Sequence, residues 1–412
     1  MGTGASTVVL VPCPDYDREH VDRAVRRGLE LLGADALAPV LEAAGRTVLL
    51  KPNMLRPSPP EKGVTTHPAV FSAVARCLAE KGARLVFGDS PSGIFAPAPT
   101  ARACGLAAEA DAMGIPLADF ETGEYVSHPG GVRNRRFFVA RGAREAGAIV
   151  NLPRLKTHGL MAMTGALKNI FGTIPGLRKA EFHLTHPDIE GFSRMIADLN
   201  GLVRSRLVVM DAIRAMEGNG PTGGDLVNVG VLILSVDPVA SDAVGCRIMG
   251  FDPDSIPAIT MAEESGLGNA RMERIEIRGG RIEDFARRRF RAPAPSPARA
   301  VPRFVYRVAK DLAVPKPAID AAKCTACGEC VASCPTEPKS LCMDGRGSRR
   351  RGKPATSGGR RGAPSFDYST CIRCYCCQET CPEGAIHLNR APLARFFSGR
   401  PERPGGRHGH HR

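Results

Sequence analysis

Eight of the fourteen cysteines in this 412-residue chain fall into two copies of one spacing. Cys324, Cys327, Cys330 and Cys334 form C-x2-C-x2-C-x3-C ahead of Pro335, and Cys371, Cys374, Cys377 and Cys381 repeat it ahead of Pro382. Thiolates match soft iron, and three of them this close can wrap one cubane cluster while the fourth, carried off by the next turn, reaches a second. The spacing therefore predicts two [4Fe-4S] clusters, one on Cys324, Cys327, Cys330 and Cys381, the other on Cys371, Cys374, Cys377 and Cys334. Gly328 and Pro335 permit tight wrapping, and Ala326 and Ala332 leave room beside the cubes. Zinc is the bland alternative, since four-thiolate zinc sites also use C-x2-C pairs, but one zinc ion does not require two matching, interleaved runs. Only Cys377 keeps the frame of the first repeat, which leaves its neighbour Cys376 a bystander. Cys13, Cys77, Cys104 and Cys246 stand alone and read as small buried hydrophobes.

A second set of reactive side chains lies well upstream. Lys51, Asn53, Asp89, Lys156, His158 and Lys168 each follow a strand-like run or sit close behind one. Asp211, Asp237 and Asp242 are placed in the same way. Taken singly, an Asp or Ser there is an ordinary turn residue or helix cap. Together, Lys51, Lys156, His158 and Lys168 would make a cationic pocket for a carboxylate or phosphate, in which His158 could transfer a proton near neutral pH. The Gly-rich loop 216–224 could turn backbone N–H groups toward an anion, although it matches neither the P-loop nor the dinucleotide fingerprint.

The elements that must position these groups alternate strand and helix through residues 1–285, the pattern of a mainly parallel α/β sheet with flanking helices. Helical spacing of Val21, Val25, Leu29 and Leu32, with Asp17 ahead and Gly33 behind, predicts a helix over 18–32. A second helix opens at Pro68, and others fill 192–203 and 238–249. Aliphatic runs at 46–51, 84–87, 148–152, 206–210 and 230–236 predict buried strands. In such sheets ligands collect at the carboxyl ends of the strands, where the upstream polar residues fall.

From residue 286 the composition turns to Arg, Pro and Ala, which predicts a linker over 286–317. A small α+β bacterial ferredoxin-like domain would follow at 318–391, interrupted by a basic, Gly-rich insert at 345–364, with a basic tail at 392–412. The net charge of +14 is lopsided: 25 of the 56 Lys and Arg but only 9 of the 42 Asp and Glu lie from residue 286 onward. The N-terminal part is thus nearly neutral, and the basic stretch suits an acidic protein partner better than nucleic acid, for which stacking aromatics are scarce at 5% with no Trp. Apolar runs are strand-length, so no membrane span is expected, and clustered thiols without a leader pattern point to the reducing cytoplasm.

Several strings resemble one family. Leu49-Leu50-Lys51-Pro52-Asn53, Thr66-His67-Pro68, Gly88-Asp89-Ser90-Pro91, Asn151-Leu152-Pro153-Arg154-Leu155-Lys156-Thr157-His158, Thr164-Gly165-Ala166-Leu167-Lys168-Asn169 and Met216-Glu217-Gly218-Asn219-Gly220-Pro221 occur in the order seen in domain-of-unknown-function family 362. Its members often carry a C-terminal double-cluster ferredoxin module. The resemblance implies an iron–sulfur protein with an α/β domain, and Lys51, Asn53, Asp89, Lys156, His158, Lys168 and Asn169 as site candidates. Arg154 departs from the pattern, where Lys is more usual, and the basic insert is also unusual. Two readings follow. One is a ferredoxin-type oxidoreductase that passes single electrons to an anionic small molecule bound in the N-terminal domain, with a redox partner protein as donor or acceptor. The other is a non-catalytic electron relay that docks a partner.

Overall fold

The computed structural model describes residues 4–42, 47–286, 288–292, 314–343 and 362–389. The expected tail, most of the expected linker and most of the basic insert lie outside the described residues. Strands β1 (Ser6–Pro12), β2 (Val48–Pro52) and β3 (Leu85–Phe87) are followed by an outlying hairpin, β4 (Gly123–Ser127) and β5 (Arg136–Ala140). Then come β6 (Ala148–Leu152), β7 (Arg154–His158), β8 (Ala162–Thr164), β9 (Leu207–Glu217), β10 (Asp225–Ser235) and β11 (Ile275–Gly279).

The central sheet runs in the order β11-β1-β10-β9-β6-β2-β3, and β7 pairs with β9 and β8. Pairings are parallel from β3 through β2 and β6 to β9, and also between β1 and β11 and between β7 and β9. Within this sheet, among the described residues, β10 with β1 and β9, and β7 with β8, pair antiparallel. The fold is therefore the expected mainly parallel α/β sheet. Both faces are covered: in β1, Val8 and Leu10 enter one apolar core while Val9 and Val11 enter the other. That is why the strands read as continuous aliphatic runs with no polar alternation.

The expected helix over 18–32 is Arg18–Leu32, and the Asp17 carboxylate caps it by accepting from the N–H groups of Glu19 and His20. The others form at Pro68–Ala79, Ile189–Leu202 and Pro238–Ile248. Two stretches depart from expectation. β9 and β10 are longer than their aliphatic cores and run on beyond β1 and β6 as a ribbon flanked by β7, whose far end pairs Asp225 with Glu217. Residues 288–292, expected in an exposed linker, instead hold to the α/β domain: Phe290 is buried, and Arg288 and Arg291 clasp the buried carboxylate of Glu217. Burial works against the charge of Glu217, yet the two guanidinium groups hold its pKa down to about 2. The packing of the first domain thus continues past residue 285.

The C-terminal module is a small α+β unit with internal two-fold repetition. β12 (Lys316–Ile319) pairs with β15 (Ile386–Asn389), β13 (Leu341–Cys342) pairs with β14 (Ser365–Phe366), and the short helices Glu329–Ala332 and Cys376–Thr380 lie between. It docks on the carboxyl-end side of the large sheet. Asn219, at the tip of the β9–β10 ribbon, donates to Ile386 O at 2.9 Å, and Thr222 donates to Gln378 O at 3.0 Å. Gln378 in turn donates to Asn219 Oδ1. Arg56, which is buried, donates to Thr380 O at 3.1 Å. The backbones touch closely, since a Cβ at Gly223 would press on Gly384 Cα at 2.7 Å. Among the described residues no helix is long and apolar enough to cross a membrane.

Candidate functional site

Two rings of thiols occupy the C-terminal module. Cys324, Cys327, Cys330 and Cys381 surround one cavity, closed by Ile319, Pro364, Ala385 and Ile386. Cys334, Cys371, Cys374 and Cys377 surround the other, closed by Pro317, Leu341, Phe366 and Ile372. Each ring takes three cysteines from one repeat and the fourth from the other. Among the described residues no group of three or more Cys, His, Asp or Glu converges to hold a single metal ion. The thiols stand around a space, as the corners of a cube demand, rather than around a point.

The backbone fits the same group. Ala326 and Arg373, two residues after the first cysteine of each run, have φ of 58° and 59°, and Gly328 and Tyr375, two residues further on, have φ of 79° and 63°. Three of these four are not glycine, so the left-handed turns carry a cost that something in the fold must outweigh, and both repeats adopt them at matching positions. The first repeat meets the demand with small residues. The second uses large ones whose side chains are buried, Arg373 donating to Val314 O and the Tyr375 hydroxyl to Pro315 O. Backbone N–H groups of Ala326 and Ala385 reach the sulfurs of Cys324 and Cys381 at 3.4 and 3.2 Å. Such donors stabilise thiolates and tune the potential of a bound cluster. Each ring therefore suits a [4Fe-4S] cluster.

A cavity of about 90 Å³ lies between this module and the large sheet. Its domain wall carries Asn53, Asp89, Lys156, His158, Lys168 and Asn169, all expected from the sequence. The facing wall is the helix Cys376–Thr380, which contributes Cys376, Glu379 and Thr380, together with Ser333; Cys376, Thr380 and Ser333 each come immediately before a ring cysteine. Cys376 belongs to neither thiol ring, but it lies on the wall of this cavity.

Lys51 is not among the lining residues. It is fully buried behind the wall, 2.8 Å from Asp89 Oδ1, while Asp89 Oδ2 accepts from the Met54 N–H. Burial pushes the Lys51 pKa below its usual value, and Asp89 opposes that shift. A Cβ at Gly172 would overlap both partners, so glycine is required where the 170–173 turn crosses this pair. Lys168 and Asn169 ride on the turn Ala166–Asn169. Asp242 anchors its start by accepting from the N–H groups of Ala166 and Leu167, and Asn151 bridges Ala166 O and Asn169 Nδ2. Asp237 and Asp211, by contrast, are structural. Asp237 caps Pro238–Ile248, and Asp211 joins Arg154, Tyr16 and the His67 N–H in a buried knot. The Gly-rich loop, expected to offer N–H groups to an anion, instead docks the C-terminal module through Asn219 and Thr222.

His158 faces the module. Its Nδ1 accepts from the N–H groups of Leu160 and Met161, so the neutral ring carries its proton on Nε2, which lies 3.0 Å from Glu379 Oε1. Burial pushes the His158 pKa down, and Glu379 opposes that shift. Burial disfavours the Glu379 carboxylate, but His158, Lys168 and His183 hold its pKa well below the usual range. Burial likewise pushes Lys156 down to about 7.

Several lining residues escaped the sequence reading, among them Lys179, His183 and Glu379. Lys179 and His183 stand one turn apart on the helix Arg178–Thr185, a spacing that puts both on one face. Gln378 and Glu379 occupy positions where the first cysteine repeat has Val331 and Ala332, so a polar mismatch between the repeats marked this contact. Cys376 was legible only as a residue out of frame.

The sequence profile described as Domain of unknown function (DUF362) matches residues 48–247, and that of a 4Fe-4S dicluster domain matches residues 316–382. The thylakoid-associated protein sll1697 of Synechocystis sp. is 36% identical over 265 residues, which cover 63% of this chain and 80% of that protein. The chain belongs to the DUF362 family. Apo lactate racemase from Thermoanaerobacterium thermosaccharolyticum is a looser likeness, with 14% identity, a TM-score of 0.36, and coverage of 60% of this chain and 57% of that one. That similarity is too weak to speak for fold or activity. This DUF362 protein is an iron–sulfur protein with an electron-transfer role, carried by its dicluster module.

The arginine that sets this DUF362 chain apart from the expected pattern is engaged through both terminal nitrogens. Arg154 donates to Thr65 O, Asp211 Oδ2, the Tyr16 hydroxyl and Arg214 O, all within 3.1 Å. A lysine has no planar fork to reproduce these contacts. Arg154→Lys is expected to lower stability by about 1–3 kcal/mol, measured by urea denaturation under anaerobic conditions. An unchanged midpoint would mean that the knot tolerates either cation.

Proposed function

We propose that this protein is a cytoplasmic oxidoreductase that carries electrons singly through two [4Fe-4S] clusters to an anionic small molecule held between its two domains. One observation carries the reading. The cationic cavity of the α/β domain is closed by the helix Cys376–Thr380, whose Cys377 belongs to the second thiol ring, so a molecule bound at Lys156, Lys168 and His158 lies against the edge of that ring. Electrons then have a path by contact, while His158 and the lysines can give up or orient protons as charge builds on the substrate.

The two rings differ in access, which suggests a direction. In the first ring Cys327 is exposed, whereas every cysteine of the second is buried. A redox partner protein docks at the first cluster and the substrate meets the second. The alternative, a relay without chemistry, leaves the lysine-lined cavity unexplained.

The test is reoxidation. Protein reduced by dithionite under anaerobic conditions is mixed with a panel of unsaturated or oxidised organic acids while visible absorbance is followed. One class of acid should reoxidise the clusters rapidly. Lys168→Gln should slow that step by roughly 10- to 100-fold at low acid concentration, without impairing cluster reduction. If no acid reoxidises the wild type faster than buffer does, the relay reading replaces the enzyme.

A further inference from the structure

The positive charge around the cavity is not balanced by the residues that line it. Lys156 Nζ donates to Asn53 Oδ1 and Val64 O, and Lys179 Nζ to Ser90 O and Pro91 O, all of them neutral oxygens. Lys168 Nζ lies 4.7 Å above the Phe171 ring, and among the described residues it has no hydrogen-bond acceptor. None of the three pairs with a carboxylate among the described residues. The two carboxylates on the lining are already engaged, Asp89 with Lys51 and Glu379 with His158. Two further polar atoms, Nδ1 of the buried His183 and Oγ of Ser92, are out of contact with solvent and lack partners. Ammonium groups that are buried, as at Lys156, or half-buried, as at Lys168 and Lys179, beside idle polar atoms are an arrangement that a doubly charged ligand completes.

We propose that this cavity binds a dianion, a dicarboxylate or a phosphate monoester, through Lys156, Lys168 and Lys179, and that the ligand draws protons onto the site as it binds. The proposal takes the place of the ligand from the reductase reading but does not depend on electron transfer. Lys156 is faced by Arg154 and Lys168, which disfavour its charge, and by Glu379 and Asp89, which favour it. Lys179 is faced by Lys51 and Lys168 on one side of that balance and by Asp89 and Glu379 on the other. In both, burial dominates and brings the pKa to about 7, so near neutrality each ammonium is only partly formed. A dianion reverses that balance and restores both charges. Proton uptake should therefore be largest above the free pKa and fade below it, where both lysines are already charged.

The experiment is isothermal titration calorimetry on the oxidised, full-length protein with both clusters loaded, using succinate and, separately, inorganic phosphate. Each titration is run in two buffers of different ionisation enthalpy, at about pH 8 and about pH 6. The expected result is that one anion binds with net proton uptake at the higher pH that shrinks at the lower, and that Lys168→Gln weakens it by roughly 10- to 100-fold. Succinate as the ligand identifies a dicarboxylate site, and phosphate identifies a phosphate-ester site. Binding heat independent of buffer at the higher pH, or no binding of either anion to protein whose clusters reduce normally, overturns the proposal. The two readings fail separately. Binding with proton uptake in a protein that no acid reoxidises upholds this inference and removes the reductase, whereas reoxidation by monoanions alone does the reverse.

Discussion

Cys381→Ser is expected to abolish the first cluster and spare the second, although Cys381 belongs to the second cysteine run. In the fold its sulfur faces the ring of Cys324, Cys327 and Cys330, and the Ala385 N–H points at it from 3.2 Å. Iron and acid-labile sulfide in anaerobically purified protein should fall from about eight of each per chain to about four. Electron paramagnetic resonance of the reduced variant should show one cluster signal in place of two interacting ones. Cys334→Ser should give the mirror result, since that sulfur faces the ring of Cys371, Cys374 and Cys377. If Cys381→Ser removes the second cluster instead, the cysteines are not shared across the repeats and each run holds its own cube. Zinc in place of iron would return both rings to a structural role.

The second large effect belongs to the Lys51 and Asp89 pair. Both side chains are buried, and the Lys51 ammonium holds the Asp89 carboxylate that also fixes the Met54 N–H. Lys51→Met removes one partner and leaves a buried carboxylate with a single backbone donor. The cost is expected to be about 3–5 kcal/mol, seen as a midpoint loss on the order of 10 °C in anaerobic thermal unfolding. The double variant Lys51→Met with Asp89→Asn should recover part of that loss, because no uncompensated charge remains. A single variant as stable as the wild type would show that water reaches this pair, and Lys51 would return to the ranks of substrate-binding candidates.

These pairs also show what could and could not be read from the chain. Strand and helix positions followed from apolar spacing because both faces of the sheet are covered. The outer half of the β9–β10 ribbon did not follow, since Asp225, Leu226 and Asn228 stand over no core and carry the composition of a loop. The cysteine rings were legible because cluster ligation is a matter of local spacing. The cavity was half legible: residues following parallel strands gather at one end of the sheet by topology alone, which places Lys156, His158 and Lys168 together. Which way a lysine turns once it arrives depends on partners distant in sequence, and so Lys51 met Asp89 behind the wall. For the same reason the contact of His158 with Glu379, which joins the two domains, left no trace beyond a polar residue where the first repeat has alanine.

The docking of the dicluster module bears on how such proteins can be taken apart and recombined. Gly223 and Gly384 bring two backbones together with no side chain between them, and Gly159 leaves no room for a Cβ beneath Gln378 and Leu388. A ferredoxin grafted from elsewhere would need matching glycines and matching hydrogen-bond partners before its cubes came near the lysine cavity. The module is therefore no exchangeable battery. Expressed as a separate polypeptide, even the native module would have to reach this one face by diffusion, at a local concentration far below the one that covalent linkage provides. Inheritance of the two halves as one gene follows from geometry as much as from chemistry.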